Sequence, residues 1–174
     1  MFDKPILYIN ETFRTLPFTS IFFSLLIGII FQNKLALIIA FMLMADNSIN
    51  KVFKYLSKKY IKIDGERPKG AKNCGCFIDL NNVNKLATSY GMPSGHTQNI
   101  FFICTFLTLY TKSYLSKLFL LIISIYGGYL RVKFGCHTIG QVFVGGILGI
   151  IIGFISYKML TNYGLLNSNP SEFL

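Results

Sequence analysis

Apolar residues gather in runs separated by short polar turns, with one long polar interruption. The first run covers 16–31, LPFTSIFFSLLIGIIF. It is somewhat short of the roughly 20 residues that cross a bilayer as a helix, but interfacial flanks can extend it. Gln32, Asn33 and Lys34 make a tight turn, and a second run begins over 35–45. It turns polar early: Asp46, Asn47, Asn50, Lys51 and Lys54 follow without a helix breaker. Asn47, Lys51 and Lys54 stand at i, i+4 and i+7, which gives that helix end one polar face. Either the helix is leaving the membrane or it delivers a lysine to a site. After a polar stretch over 55–91, apolar runs return at 100–110, extended to 97–111, then at 118–130 and at 138–157.

This pattern predicts an all-α fold, an integral membrane helical bundle of about five transmembrane helices. Residues 1–15 are expected to form an interfacial segment, 16–158 the membrane domain with its loop at 55–91, and 159–174 a polar tail. The loop is too long to be a mere connector, and long loops carry function or are disordered. Gly145, Gly149 and Gly153 recur every four residues in the last span, with Gly127 and Gly128 in the one before it. Small residues at that spacing let helices approach closely, so they are expected to pack rather than react.

Composition narrows the class. Of 174 residues 52% are hydrophobic and the mean hydropathy is +0.51, too apolar for an ordinary soluble domain. A formal net charge of +10 would suggest nucleic acid in a soluble protein. Here many of the cations sit in one loop between apolar runs, so the expected partner is anionic lipid or phosphate and not nucleic acid. No secretory signal pattern is present, because Asp3, Glu11 and other polar groups interrupt the start; the first span is expected to direct insertion itself. The sequence leaves the oligomeric state open.

The chain holds only two histidines, and both stand at the mouths of apolar runs. His96 lies in Gly91-Met92-Pro93-Ser94-Gly95-His96-Thr97-Gln98, and His137 follows Arg131 by six residues and precedes Gln141 by four. Pro93 stops the preceding chain, and the amides of Ser94 and Gly95 can open an anion site at a helix start. An imidazole there could pass a proton to a leaving oxygen. Alone, the string would fit an ordinary helix cap with a solvated histidine equally well. The second histidine tips the balance, because alternating spans bring Arg67, His96, Arg131 and His137 to one face of the membrane.

Cysteine adds little. Cys74 and Cys76 sit in the polar loop, Cys104 in the third span, and Cys136 beside His137. A full thiolate zinc site would need the one in the bilayer, and two histidines with few carboxylates do not make a hard-metal cage. No metal and no cofactor are expected. A disulfide among the loop cysteines requires an oxidising face.

Arg67-Pro68, then Pro93-Ser94-Gly95-His96, then Arg131 with His137, together resemble the three-part signature of the type 2 phosphatidic acid phosphatase family, which includes lipid phosphatases and the soluble vanadium haloperoxidases. The resemblance spans roughly 47–150, and its order and spacing make it specific. Gly91 to Gln98 and the run from Arg131 to Val142 are most similar to the dolichyl diphosphate phosphatase branch, which hydrolyses polyprenyl diphosphates. Three positions depart from the family pattern. Its first-motif lysine falls on Tyr60, so Lys54 is the best substitute, with Lys59 and Lys62 as rivals. Leu130 replaces a serine. Gln141 replaces an aspartate, as in the dolichyl branch.

The resemblance implies that His137 attacks phosphorus to give a phosphohistidine, with Gln141 orienting it, while His96 protonates the leaving oxygen and later activates water. It implies that Arg67, Arg131, Lys54 and the Ser94 and Gly95 amides hold the phosphate oxygens, without metal. The expected activity is a membrane lipid phosphatase acting on a polyprenyl diphosphate or phosphatidate. An inactive lipid-phosphate binder of the same fold, or a lipid phosphotransferase, is the alternative. The expected place is a multi-pass position in the endoplasmic reticulum or another internal membrane. Lys34, Lys112, Lys117 and Lys158 lie opposite the site and the other cations on its face, so the positive-inside rule puts the site in the cytoplasm. The resemblance implies the lumen, and the two stand against each other.

Overall fold

The computed structural model describes residues 4–61, 65–71 and 86–166, with side chains from residue 12 onward. Every regular element among the described residues is a helix: α1 Lys4–Ile30, α2 Lys34–Tyr60, α3 Gly95–Tyr110, α4 Tyr114–Lys133 and α5 Ile139–Asn162. Four are long and apolar enough to cross a membrane, namely α1 from Thr12, α2, α4 and α5. The chain is a multi-pass membrane protein. α3 has 16 residues, about 24 Å at a rise of about 1.5 Å per residue. It can be shorter because it is the central helix, packed on α5 and α4 and touching α2 and α1.

The α3–α5 contact explains the glycine spacing. A Cβ on Gly145 would meet the Ser94 carbonyl oxygen at 2.6 Å, and one on Gly153 the Phe102 carbonyl oxygen at 2.7 Å. Gly149 likewise faces the Gln98 carbonyl and the Phe102 amide. The two backbones therefore touch along a stripe that admits no side chain. Ile100, Phe102 and Phe106 of α3 fill the adjoining core with Ala40, Leu43 and Leu130. Outward-facing Ile29, Phe31, Phe119 and Phe143 are exposed, as lipid-facing side chains should be.

Helix ends differ from the sequence expectation in three places. α1 is one helix that runs from Lys4 through Pro17, where an interfacial segment over 1–15 was expected. Proline removes the bond that an amide at 17 would donate to the Phe13 carbonyl; the nearby hydroxyls satisfy themselves on the helix, Thr19 Oγ1 donating to the Thr15 and Leu16 carbonyls and Ser20 Oγ to the Pro17 carbonyl. α2 continues to Tyr60, into the stretch assigned to the 55–91 loop. No proline or glycine breaks it there, and its side chains over 55–60 are exposed apart from half-buried Ser57. At the C-terminus the helix persists to Asn162, and Leu160 and Leu166 pack with Phe106, so the start of the expected tail belongs to the core. The remainder of that tail, 167–174, lies outside the described residues.

Candidate active site

α4 ends at Lys133 and α5 begins at Ile139, and the turn between them carries His137. Gly135, at φ 65°, takes the left-handed conformation that reverses the chain. The amides of Cys136 and His137 then both donate to the Arg131 carbonyl, at 3.0 and 3.2 Å. Arg131, 1% exposed, and His137, 4% exposed, are thus fixed to each other by backbone.

Gln141 is the hub of this end. Thr138 caps α5 in a capping box, its hydroxyl accepting from the Gln141 amide. The Gln141 side-chain oxygen accepts from Thr138 N at 3.3 Å and lies 3.0 Å from His137 Nδ1. Its Nε2 donates to the Glu66 carbonyl. These two backbone partners fix which end of the amide is oxygen, so His137 Nδ1 must carry the proton. Nε2 therefore presents its lone pair, 3.4 Å from Arg67 Nη1. A Cβ on Gly91 would strike the Gln141 amide at 2.6 Å, which is why that position has no side chain.

Arg67 reaches across the fold. Its Nη1 donates to the Cys136 carbonyl at 2.9 Å, and its Nε and Nη2 donate to the carbonyl and hydroxyl of Ser89, both at 2.9 Å. Burial pulls its pKa down. Lys54 Nζ donates to the Tyr90 carbonyl at 2.6 Å. Burial and then the charges of Arg67 and Lys54 drive the His137 pKa from 6.5 down to about 2, against the Gln141 bond, which raises it. The pocket is cationic and its imidazole neutral.

His96, on the first turn of α3, lies with Nε2 2.9 Å from the Arg14 carbonyl of α1. A carbonyl only accepts, so neutral His96 holds its proton on Nε2 and its lone pair on Nδ1. The charges of Arg131, Arg67 and Lys54 bear on it. Ser94 caps α3 and its hydroxyl lies 2.9 Å from that of Thr97. The Ser94 amide, expected to face phosphate, instead donates to the Gln141 carbonyl at 3.1 Å. A Cβ on Gly95 would meet Asn50 Oδ1 at 2.8 Å, so Gly95 lets α2 approach the start of α3.

The structure thus brings Lys54, Arg67, His96, Arg131, His137 and Gln141 to one end of the bundle. Tyr60 is 69% exposed, away from this cluster, and Lys59 is exposed beside it. Lys62 and the pair Cys74 and Cys76 lie outside the described residues. Cys136 is disulfide-bonded, and Cys104 is a free, buried thiol. Among the described residues no group of three or more His, Cys, Asp or Glu side chains could hold a metal ion.

Sequence reasoning missed the layer beneath. Asp46, Asn50 and Lys54, at i, i+4 and i+8, form the inward face of α2, in place of the Asn47 and Lys51 face inferred from the pattern. Asp46 Oδ1 accepts from Gln98 Nε2 at 2.7 Å, Asp46 Oδ2 from Asn99 Nδ2 at 3.3 Å, and Gln98 Oε1 from Asn50 Nδ2 at 2.8 Å. An acidic residue inside an apolar helix was the available signal. The network ties α2 to α3 directly under His96. On the water side, a cavity of about 350 Å³ opens beside Arg67, lined also by Lys58, Glu66, Ser89 and Tyr90.

A model of the PAP2 superfamily matches residues 18–164. Dolichyldiphosphatase 1 of Dictyostelium discoideum is 39% identical over 83 residues, covering 41% of this chain and 36% of that protein. The chain therefore spans well under two thirds of the length of the curated relative it matches. No solved structure matches. With both histidine motifs, Arg67, Arg131, helices α2 to α5 and the second half of α1 inside the matched region, the chain belongs to the PAP2 superfamily.

Proposed function

We propose that this protein is a membrane lipid phosphatase that removes the terminal phosphate of a polyprenyl diphosphate through a phosphohistidine on His137. The observation that carries this is the His137 tautomer: Nδ1 is held by Gln141, and the nucleophilic Nε2 faces Arg67 in a cationic pocket. The match to a dolichyldiphosphatase supports the substrate class.

His137 Nε2 attacks the terminal phosphorus while the bond to the bridging oxygen breaks, and His96 Nδ1, protonated in the substrate complex, delivers its proton to that oxygen. Water then attacks the phosphohistidine, with His96 taking its proton, and the nitrogen–phosphorus bond returns its pair to Nε2. Two displacements replace one harder one. Arg67, Arg131 and Lys54 hold the oxygens on which negative charge develops, and the arginine fork suits phosphate. The Gly95 amide at the start of α3 adds a neutral donor. No step calls for a metal. The oxidised Cys136 favours a site in an oxidising compartment, the lumenal side, over the cytoplasmic side suggested by the lysine count.

The test is phosphate release in detergent from a polyprenyl diphosphate and from phosphatidate, with chelator present and His137→Ala alongside. Diphosphate turnover that survives chelator and vanishes in the variant is the expected result. Folded protein that binds both lipids and turns over neither would make it a lipid-phosphate binder instead.

A further inference from the structure

We propose that the bilayer-facing groove between α4 and α5 seats the hydrocarbon chain of the substrate. This rests on the phosphatase reading and adds where the chain lies. A lipid phosphate reacts at one end of the bundle while the chain bonded to it stays in hydrocarbon. It needs an apolar exit that begins at the site and opens to lipid.

α4 and α5 both pack on α3 and touch each other sparsely, which leaves a gap floored by Phe101 of α3. The upper part is a cavity of about 280 Å³ bordered by Gly128, Tyr129, Ile139, Val142 and Gly146. The lower part, about 460 Å³, runs past Cys104, Leu121 and Ser124 to Lys117 at the far membrane face. Phe101 and Ile150 line both, so the two parts meet there. Its upper end reaches the helix starts that carry the site residues. A Cβ on Gly128 would lie 3.1 Å from Val142 and 3.7 Å from Thr97. Val142 follows Gln141, and the Thr97 hydroxyl is 2.9 Å from that of Ser94. Gly128 and Gly146 give the groove its depth, since any larger side chain there would project into it. Unlike the α3–α5 stripe, Gly146 faces only the Phe101 ring, at 3.6 Å, so a substituent has room to stand without moving backbone.

The experiment has two arms on the full chain in lipid nanodiscs. Turnover is measured on a single-isoprene diphosphate and on a long polyprenyl diphosphate, for the native protein, Gly146→Leu near the phosphate end and Leu121→Trp near the far end. Gly146→Leu should lower kcat/KM for the long substrate by about tenfold or more and for the short one by several-fold less. Leu121→Trp should impair only the long substrate, and less. Equal losses on both substrates, or no loss on either, would overturn the groove. Absence of native turnover on either substrate would sink the phosphatase reading alone. The second arm needs no turnover: a polyprenyl diphosphate carrying a diazirine on its chain is photolysed in the nanodisc and the labelled peptides are mapped. Label on residues 118–129 and 142–150 that unlabelled polyprenyl phosphate displaces is the expected result. Label on α1 or α2, or label in the groove that only bulk phospholipid displaces, would contradict it, as would protection of the groove by a second copy of the chain.

Discussion

Gln141 Oε1 lies 3.0 Å from His137 Nδ1, and this contact fixes which ring nitrogen carries the proton. A carboxylate at the same place would stabilise the imidazolium by charge. The amide cannot, and it works by holding the tautomer. Its other end is anchored on the Glu66 carbonyl and its backbone carbonyl on the Ser94 amide, so one residue joins the loop, the start of α3 and His137.

Gln141→Leu keeps the volume and removes the anchor. His137 can then take either tautomer, and on the proposed mechanism kcat should fall by about 10² or more with KM little changed. Steady-state kinetics on a polyprenyl diphosphate in detergent checks this. A matching rise in KM would assign Gln141 to binding instead.

Arg67→Lys keeps the charge and loses the fork that spans Ser89 and Cys136 while facing His137 Nε2. The loss should exceed what charge alone predicts, about 10² to 10³ in kcat/KM, with Arg67→Ala only modestly worse. Full activity in the lysine variant would mean that Arg67 acts as a point charge.

His137 has its pKa lowered from 6.5 to about 2, so the folded state holds it neutral where the unfolded chain would protonate it. Its contribution to stability is complete above pH about 6.5 and is lost progressively as pH falls toward the folded pKa. Thermal unfolding in detergent should therefore weaken on acidification from neutrality, and His137→Gln should flatten that slope between pH about 6.5 and 4. An unchanged slope would contradict the neutral, buried imidazole.

Gly149→Ala places a methyl against the α3 backbone, at Gln98 and Phe102, whereas Gly146→Ala meets only the Phe101 ring at ordinary contact. The first should cost about 1–3 kcal/mol as overpacking and the second close to nothing. Chemical denaturation in mixed micelles distinguishes them.

Much of this was legible in the residue pattern. Alternating spans alone bring Arg67, His96, Arg131 and His137 to one face, and the structure places them there. The glycine spacing announced a close helix contact on α5, because only small residues permit one, but not that α3 is the partner. The pattern allowed α2 to deliver a lysine, but only the resemblance set Lys54 ahead of Lys59 and Lys62. What escaped was decided by tertiary partners. Asp46 and Asn50 look like the frayed end of a span until Gln98 of another helix is seen to satisfy them. The Ser94 amide looks open to an anion until the Gln141 carbonyl arrives from α5. His96 gave no hint that its Nε2 would rest on the Arg14 carbonyl, 82 residues away.

The most direct measurement is to mix the protein with a polyprenyl diphosphate radiolabelled in its terminal phosphate, quench in base within a turnover, and map the label. The account predicts acid-labile, base-stable label on the peptide that contains His137, absent from His137→Ala and accumulating in His96→Ala if water activation is slowed more than attack. Turnover with no label on His137, or turnover that persists in His137→Ala, would contradict it.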